Sequence, residues 1–357
     1  MPISAADLIK AGNYARDRYV TKTPVSQIDI ETPLLKKLDA KKKTFKGTLQ
    51  YINCPIRKER HTSGQFYYGA DTVTYGTSDP VAHAKYTWTS YFDGFTINED
   101  EALSAGISFD VDKPNSTASA DEAVALVNLM GEKMTSLRDG MLTQTDQNLH
   151  MDGTQDAQAV AGLDAIISLT PNTGTVGGFN RATSTWWRNH AKFSVAGTPA
   201  VTTVVTAGVG AVLLTNMELA WRACSKNGGK PDFILVGQAF YDAYRTATQG
   251  SIVINANAGA NGVSLDGAVS DLTFRGVPLV IDYQFEAVQG LTSATTDWDN
   301  RCYFINTKHL SLRKMDGHDM KLRTPARGGD KFVAEFGMSD KYSLTCDRMN
   351  AHAVLAV

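Results

Sequence analysis

The residues that could do chemistry are few. The stretch GTVGGFNRATSTWWRN, Gly174 to Asn189, sets three glycines beside two adjacent tryptophans and an Arg-Asn pair. Glycines can bring backbone N–H groups close to an anion, so a phosphate loop is one reading. The spacing does not fit it. GTVGG is neither GxxxxGK followed by Ser or Thr nor GxGxxG. No apolar strand precedes it to aim it at a helix N-terminus. No GxSxG nucleophile elbow is present. The histidines His61, His83, His150, His190, His309, His318 and His352 stand alone, none at HxxxH or HExxH spacing, and isolated histidines are usually surface or core residues, although distant residues can still meet in space. Cys54, Cys224, Cys302 and Cys346 are scattered without a CxxC. That is a poor pattern for zinc or a disulfide scaffold and favours reduced, partly buried thiols. The acidic pairs Asp110 with Asp112 and Asp297 with Asp299 sit in turn-like contexts and read as solvated loops. Nothing supplies the roughly six or more oxygens of a calcium loop. No residue is assigned a catalytic, cofactor-binding or metal-binding role. What remains for the Gly174–Asn189 block is packing, because Trp and Arg dominate interface hot spots.

The elements that must hold that block follow from composition and periodicity. The chain has 357 residues, of which 43% are hydrophobic and 20% charged, enough for two domains or one body with extensions. A formal net charge of -2 gives no global pull toward nucleic acid or membrane. The N-terminus is mixed and polar, unlike a signal peptide. No apolar run reaches the ~18 residues of a membrane span. A short helix is expected over Ser4–Arg18. Pro24 and Pro33 then favour an extended arm. Lys41, Lys42 and Lys43 form a basic cluster that reads as a solvated charge run, with nucleic-acid contact as the alternative.

From Thr48 to Ile97 the period changes to two, with Tyr, Thr, Val, Trp and Phe at alternate positions, predicting long antiparallel strands. The middle carries Arg57, Lys58, Glu59 and Arg60 and shows no apolar face, so this hairpin should project or lie on a partner. Ser119 and Glu122 form a capping box. Val127, Met130, Met134, Leu137 and Met141 then recur at three- and four-residue steps. The pattern predicts a helix from about Ala120 to His150 with that stripe as core. Residues 153–210 read as loops and short elements. Beyond Thr215, helices alternate with short apolar strands as a compact α/β unit. The end is strand-rich, with an apolar last strand tied into a sheet.

Several stretches together resemble tailed-bacteriophage major capsid proteins of the Hong Kong 97 fold. They are YFDGFTINEDEAL, GLDAIISLTPNTGTVGGFNRATSTWWRN, AWRACSKNGGKPDFILVGQAFYDAY, LTFRGVPLVID and YFINTKHLSLR. The Gly174–Asn189 block is the most diagnostic. The resemblance implies an α+β fold with an N-terminal arm (residues 1–47) and an extended loop (48–95). It implies a peripheral domain (96–212) with a spine helix over about 119–152. An axial domain (213–299) and return strands of the peripheral domain (300–357) complete it.

The function implied is a structural, non-enzymatic subunit. It self-assembles into pentamers and hexamers of an icosahedral head enclosing double-stranded DNA, made in the host cytoplasm and resident in the virion. Implied partners are copies of itself, a separate scaffolding protein, a portal and DNA by local contact. Decoration proteins and covalent cross-links occur in the family, but no residue here is assigned to either. Trp186, Trp187, Arg188, Asn189, Arg57, Lys58 and Arg60 are the expected assembly or packing residues. The tryptophans would supply buried area within the subunit or at a boundary, and Arg188 and Asn189 would bond neighbouring backbone or carboxylates. The alternatives are an encapsulin-like compartment shell and, from another class, a soluble α/β enzyme.

Overall fold

A computed structural model describes residues 31–46, 50–98, 120–193, 209–226, 228–248, 272–291, 297–323 and 333–356. The expected helix at Ser4–Arg18 and the pair Asp110 and Asp112 lie outside these residues. The chain divides into two compact units, one drawn from residues 90–145 and 315–341, the other from 31–89, 146–314 and 342–357. Helices and strands together give the expected α+β class. No described helix is long and apolar enough to cross a membrane.

The larger unit opens with α1 (Pro33–Asp39), which the sequence reading missed. Pro33 does not break this helix but starts it, because proline at the first helical position lacks only an N–H that would be unpaired anyway. Leu34, Leu35 and Leu38 are buried within their own unit, so this part of the expected arm does not depend on another copy for burial. β1 (Lys43–Phe45) follows. In the basic cluster, Lys41 pairs with Asp232 at 3.2 Å and Lys42 with Asp39 at 3.1 Å.

β2 (Tyr51–Arg57) and β3 (Val81–Thr87) form the hairpin root, in a register running from Tyr51 opposite Thr87 to Arg57 opposite Val81. Two expectations are corrected here. The root does have an apolar face: Ile52, Cys54, Ile56, Ala84 and Tyr86 are buried. The strands are also shorter than expected, since residues 58–80 form no strand. Pro80 has no N–H to donate, and extending the register sets Glu59 opposite Asp79, two like charges. The arms of the ribbon beyond are joined by Lys58 N–H to Pro80 O at 2.9 Å, by the Lys58–Asp79 ion pair at 3.0 Å and by the Thr74 hydroxyl to Gln65 Oε1 at 3.0 Å.

β4 (Thr89–Asn98) pairs with the long strand Val333–Cys346. In the smaller unit that strand also pairs with Lys321–Arg323. α2 (Ala120–His150) has the bounds the sequence predicts. Its Leu137 and Met141 are buried against Met338, with Met134, Tyr91 and Phe95 around them. The side chains of Val127 and Met130 lie outside the described residues.

The core of the larger unit is a six-stranded sheet. In spatial order it contains His190–Phe193, Ala353–Ala356, Arg301–Ile305, Phe233–Val236, Val277–Ile281 and Thr273–Phe274. The apolar last strand is in the sheet as expected. Arg301–Ile305 and Ala353–Ala356 pair with each other, and the former pairs with Phe233–Val236 of the α/β unit. The strand Phe233–Val236 reads FILV and is buried throughout, as a strand covered on both faces should be. Ile234 and Val236 face Met217, Trp221 and Phe240 from the helices Val209–Lys226 and Gln238–Thr248. Tyr303 packs with Phe285 and Trp298.

Candidate functional site

The Gly174–Asn189 block folds on itself and seats the hairpin root. Gly174, Gly177 and Gly178 have φ of 80°, 61° and 83°, a region that glycine reaches without strain. The bend brings Gly177 O to the Lys85 N–H at 3.0 Å, and a Cβ on Gly177 would lie 3.1 Å from that of Ala84. At Gly177 the bend therefore admits another stretch of backbone. The Tyr86 hydroxyl completes the seat by donating to Cys346 O at 2.8 Å.

Trp187 is 1% exposed, and its indole N–H donates to Val176 O at 3.0 Å. Arg188 donates to the carbonyls of Arg181 and Ala182, and Asn189 to those of Ser168 and His190. These side chains satisfy local backbone, the first of the two alternatives left open by the sequence. Arg181 was not singled out, yet it is buried, and one of its nitrogens meets the carbonyls of Ala165 and Ile166, each at 2.6 Å. It satisfies the end of the short helix Leu163–Ile166.

Trp186 differs from its neighbour. It is half-buried, lying against Phe179 at 5.1 Å and Trp187 at 5.5 Å between ring centres. Its free side lines a cleft of about 850 Å³ at the hairpin root. Arg57, Lys58 and Arg60 form part of the same wall, joined by Lys226 and Arg348. Five cationic side chains thus face two carboxylates, Glu59 and Asp347. Lys58 is paired with Asp79 at 3.0 Å, and Asp347 with His309 at 2.7 Å. The structure therefore gathers Arg57, Lys58, Arg60, Trp186 and Trp187 in one place and leaves Arg188 and Asn189 in the scaffold behind it.

Beyond the root, the ribbon tip exposes Phe66 (108%), Tyr67 (71%), Tyr68 (89%) and Tyr75 (94%). It turns at Gly69, with Tyr68 N–H donating to the Asp71 carboxylate at 2.9 Å and Asp71 N–H to Tyr68 O at 3.2 Å.

A second cluster escaped the sequence reading. Asp146, His150 and Asp282 are wholly buried with their side-chain ligand atoms close together. A metal would need both carboxylates on the side of one ring nitrogen. Here they address opposite nitrogens. Nε2 lies 2.9 Å from Asp282 Oδ2, while Nδ1 lies 2.7 Å from the Asp146 carbonyl and 3.8 Å from its carboxylate. That geometry suits an imidazolium. Burial alone would lower the His150 pKa, but the two carboxylates outweigh it and raise it to about 9. Burial raises Asp146 to about 6. Leu35 N–H donates to Asp146 Oδ1 at 2.9 Å and Gln284 N–H to Asp282 Oδ1 at 3.0 Å. The cluster therefore ties α1, the end of α2 and the start of the helix Gln284–Leu291 together. The one local signal was the four-residue spacing of Asp146 and His150 in the sequence.

No protein-family model and no curated protein matches this sequence. Solved structures do match. The cyanophage A-1(L) capsid asymmetric unit is 17% identical over 94% of this chain and 94% of that one, with a TM-score of 0.63. The capsid of Myoviridae phage XM1 is 14% identical over 100% and 99%, with a TM-score of 0.55. The capsid of an empty GTA particle is 10% identical over 93% and 99%, with a TM-score of 0.53. Identities this low speak to fold alone. Over nearly its whole length this chain has the fold of phage and GTA capsid subunits, as the resemblance read from its sequence implies.

Proposed function

We propose that this chain is the major capsid protein of a tailed-phage head, assembling with copies of itself into pentamers and hexamers of an icosahedral shell around double-stranded DNA. The capsid-subunit fold supports this reading, and the hairpin carries it. A structured ribbon that holds four aromatic side chains in solvent has an exposed apolar patch of the kind that marks a protein interface. A scaffolding protein, a portal and local DNA contacts belong to the same reading. The arm, extended loop, spine, peripheral and axial assignments do too.

The test is electron microscopy of the expressed protein with and without its phage's other head proteins. Closed shells or capsomers support the proposal, and DNA inside mature particles separates a phage head from a compartment shell, which would hold protein cargo. A small, defined oligomer that forms no shell with any head protein would overturn it.

A further inference from the structure

An aromatic hairpin tip held in solvent needs a surface to receive it. We propose that the aromatic tip of one subunit seats in the basic, Trp186-floored cleft at the hairpin root of the next. The inference rests on the self-assembly reading and adds its receptor.

The chemistry of the two surfaces matches. Residues 62–78 contain no Lys or Arg, and their one charged residue is Asp71. The tip thus offers π faces and one carboxylate. The cleft offers cations and an indole face. Among the described residues Arg57, Arg60 and Lys226 show no ion-pair partner, and they line the cleft beside Trp186. Arginine and lysine are attracted to the faces of Tyr and Phe rings, and more strongly once desolvated. Four aromatic side chains of roughly 150–250 Å² each supply most of the roughly 800 Å² that each partner gives a stable interface.

The occupant must be a second copy. Residues 55–60 are themselves a wall of the cleft. A subunit's own tip would have to turn back a ribbon whose arms are tied at Lys58–Pro80 and at Gln65–Thr74. A tip-into-root contact joins two different surfaces, so every subunit is both donor and acceptor. Contacts of this kind close into rings when the rotation allows.

Two variants test it. One replaces residues 62–78 with a short Asn-Gly turn, which removes the donor surface. The other, Arg57→Glu with Arg60→Glu, spoils the acceptor surface at exposed positions. Circular dichroism first confirms that both fold. Each alone should lower assembly more than about tenfold. Mixed, they should form a 1:1 heterodimer and stop, because the intact tip of one meets the intact cleft of the other and no further contact remains. If the shortened variant fails to assemble but the charge-reversed one assembles normally, the tip lands elsewhere: the inference falls while the self-assembly reading stands. If the charge-reversed shells form normally but retain less DNA, the cleft is a nucleic-acid surface and the inference also falls. If both variants assemble normally, the tip-into-cleft contact does not build the shell: the inference falls while the self-assembly reading stands.

Discussion

The imidazole Nε2 of His150 stands 2.9 Å from the Asp282 carboxylate, across 132 residues of sequence, and neither side chain reaches solvent. An uncompensated buried charge is costly, so this pair holds only because Asp146 and the backbone donors of Leu35 and Gln284 complete it. The buried His352 has the opposite fate. Burial, with no carboxylate close enough to outweigh it, lowers its pKa to about 3, and its Nδ1 accepts from the Asn306 N–H at 3.2 Å. One fold thus holds one histidine charged and another neutral.

The pair makes stability depend on pH. His150 titrates at about 9 in the folded chain against roughly 6.5 when unfolded. Its contribution is complete below about pH 6.5 and lost as pH rises through 9. The raised Asp146 acts with the same sign lower down, between about pH 4 and 6. Urea unfolding should therefore show stability falling by up to about 3 kcal/mol between pH 6.5 and 9. His150→Gln should be less stable at pH 6.5 and flat across that window. A wild-type profile as flat as the variant's would contradict the charged assignment.

The adjacent tryptophans should separate by effect. Trp187→Ala empties a buried site and should cost about 3–5 kcal/mol of folding stability. Trp186→Ala should leave the melting temperature within a few degrees of wild type and reduce assembly. Thermal melts and sedimentation of both variants check this. An equal loss of folding in both would show that the pair acts as one core element.

Gly177→Ala should loosen the hairpin root. It forces a side chain into the left-handed region, at a cost of about 1–2 kcal/mol, and sets its Cβ against Ala84. Hydrogen exchange at residues 52–56 and 82–86 should speed up. Unchanged protection would mean that the glycine does not hold the root.

The thiols should be inert. Cys54, Cys224, Cys302 and Cys346 are all free and buried. Burial raises each of their pKa values, that of Cys224 to about 12. A thiol reagent at pH 8 should titrate almost none in the folded protein and all of them in denaturant.

What could be read from sequence was what neighbouring residues decide. The bounds of α2 follow from a capping signal and a regular stripe, and the α/β unit from period changes at Gly and Pro. What could not be read depended on distant contacts. Nothing near Asp282 announces His150. Burial of Leu34, Leu35 and Leu38 turned an apparent proline break into a helix start. In the ribbon, residues with strand propensity gained no ladder, because Pro80 and the Glu59–Asp79 opposition stop pairing at its base. Arg57, Arg60 and Trp186 could be named singly as assembly residues. That they share one cleft needed the fold.

Sedimentation velocity on the full chain and on the variant lacking residues 62–78 tests most directly whether the hairpin builds the shell. Capsomers or shells from the full chain, and folded monomers from the shortened one, are the expected result. Equal assembly by both chains would contradict it.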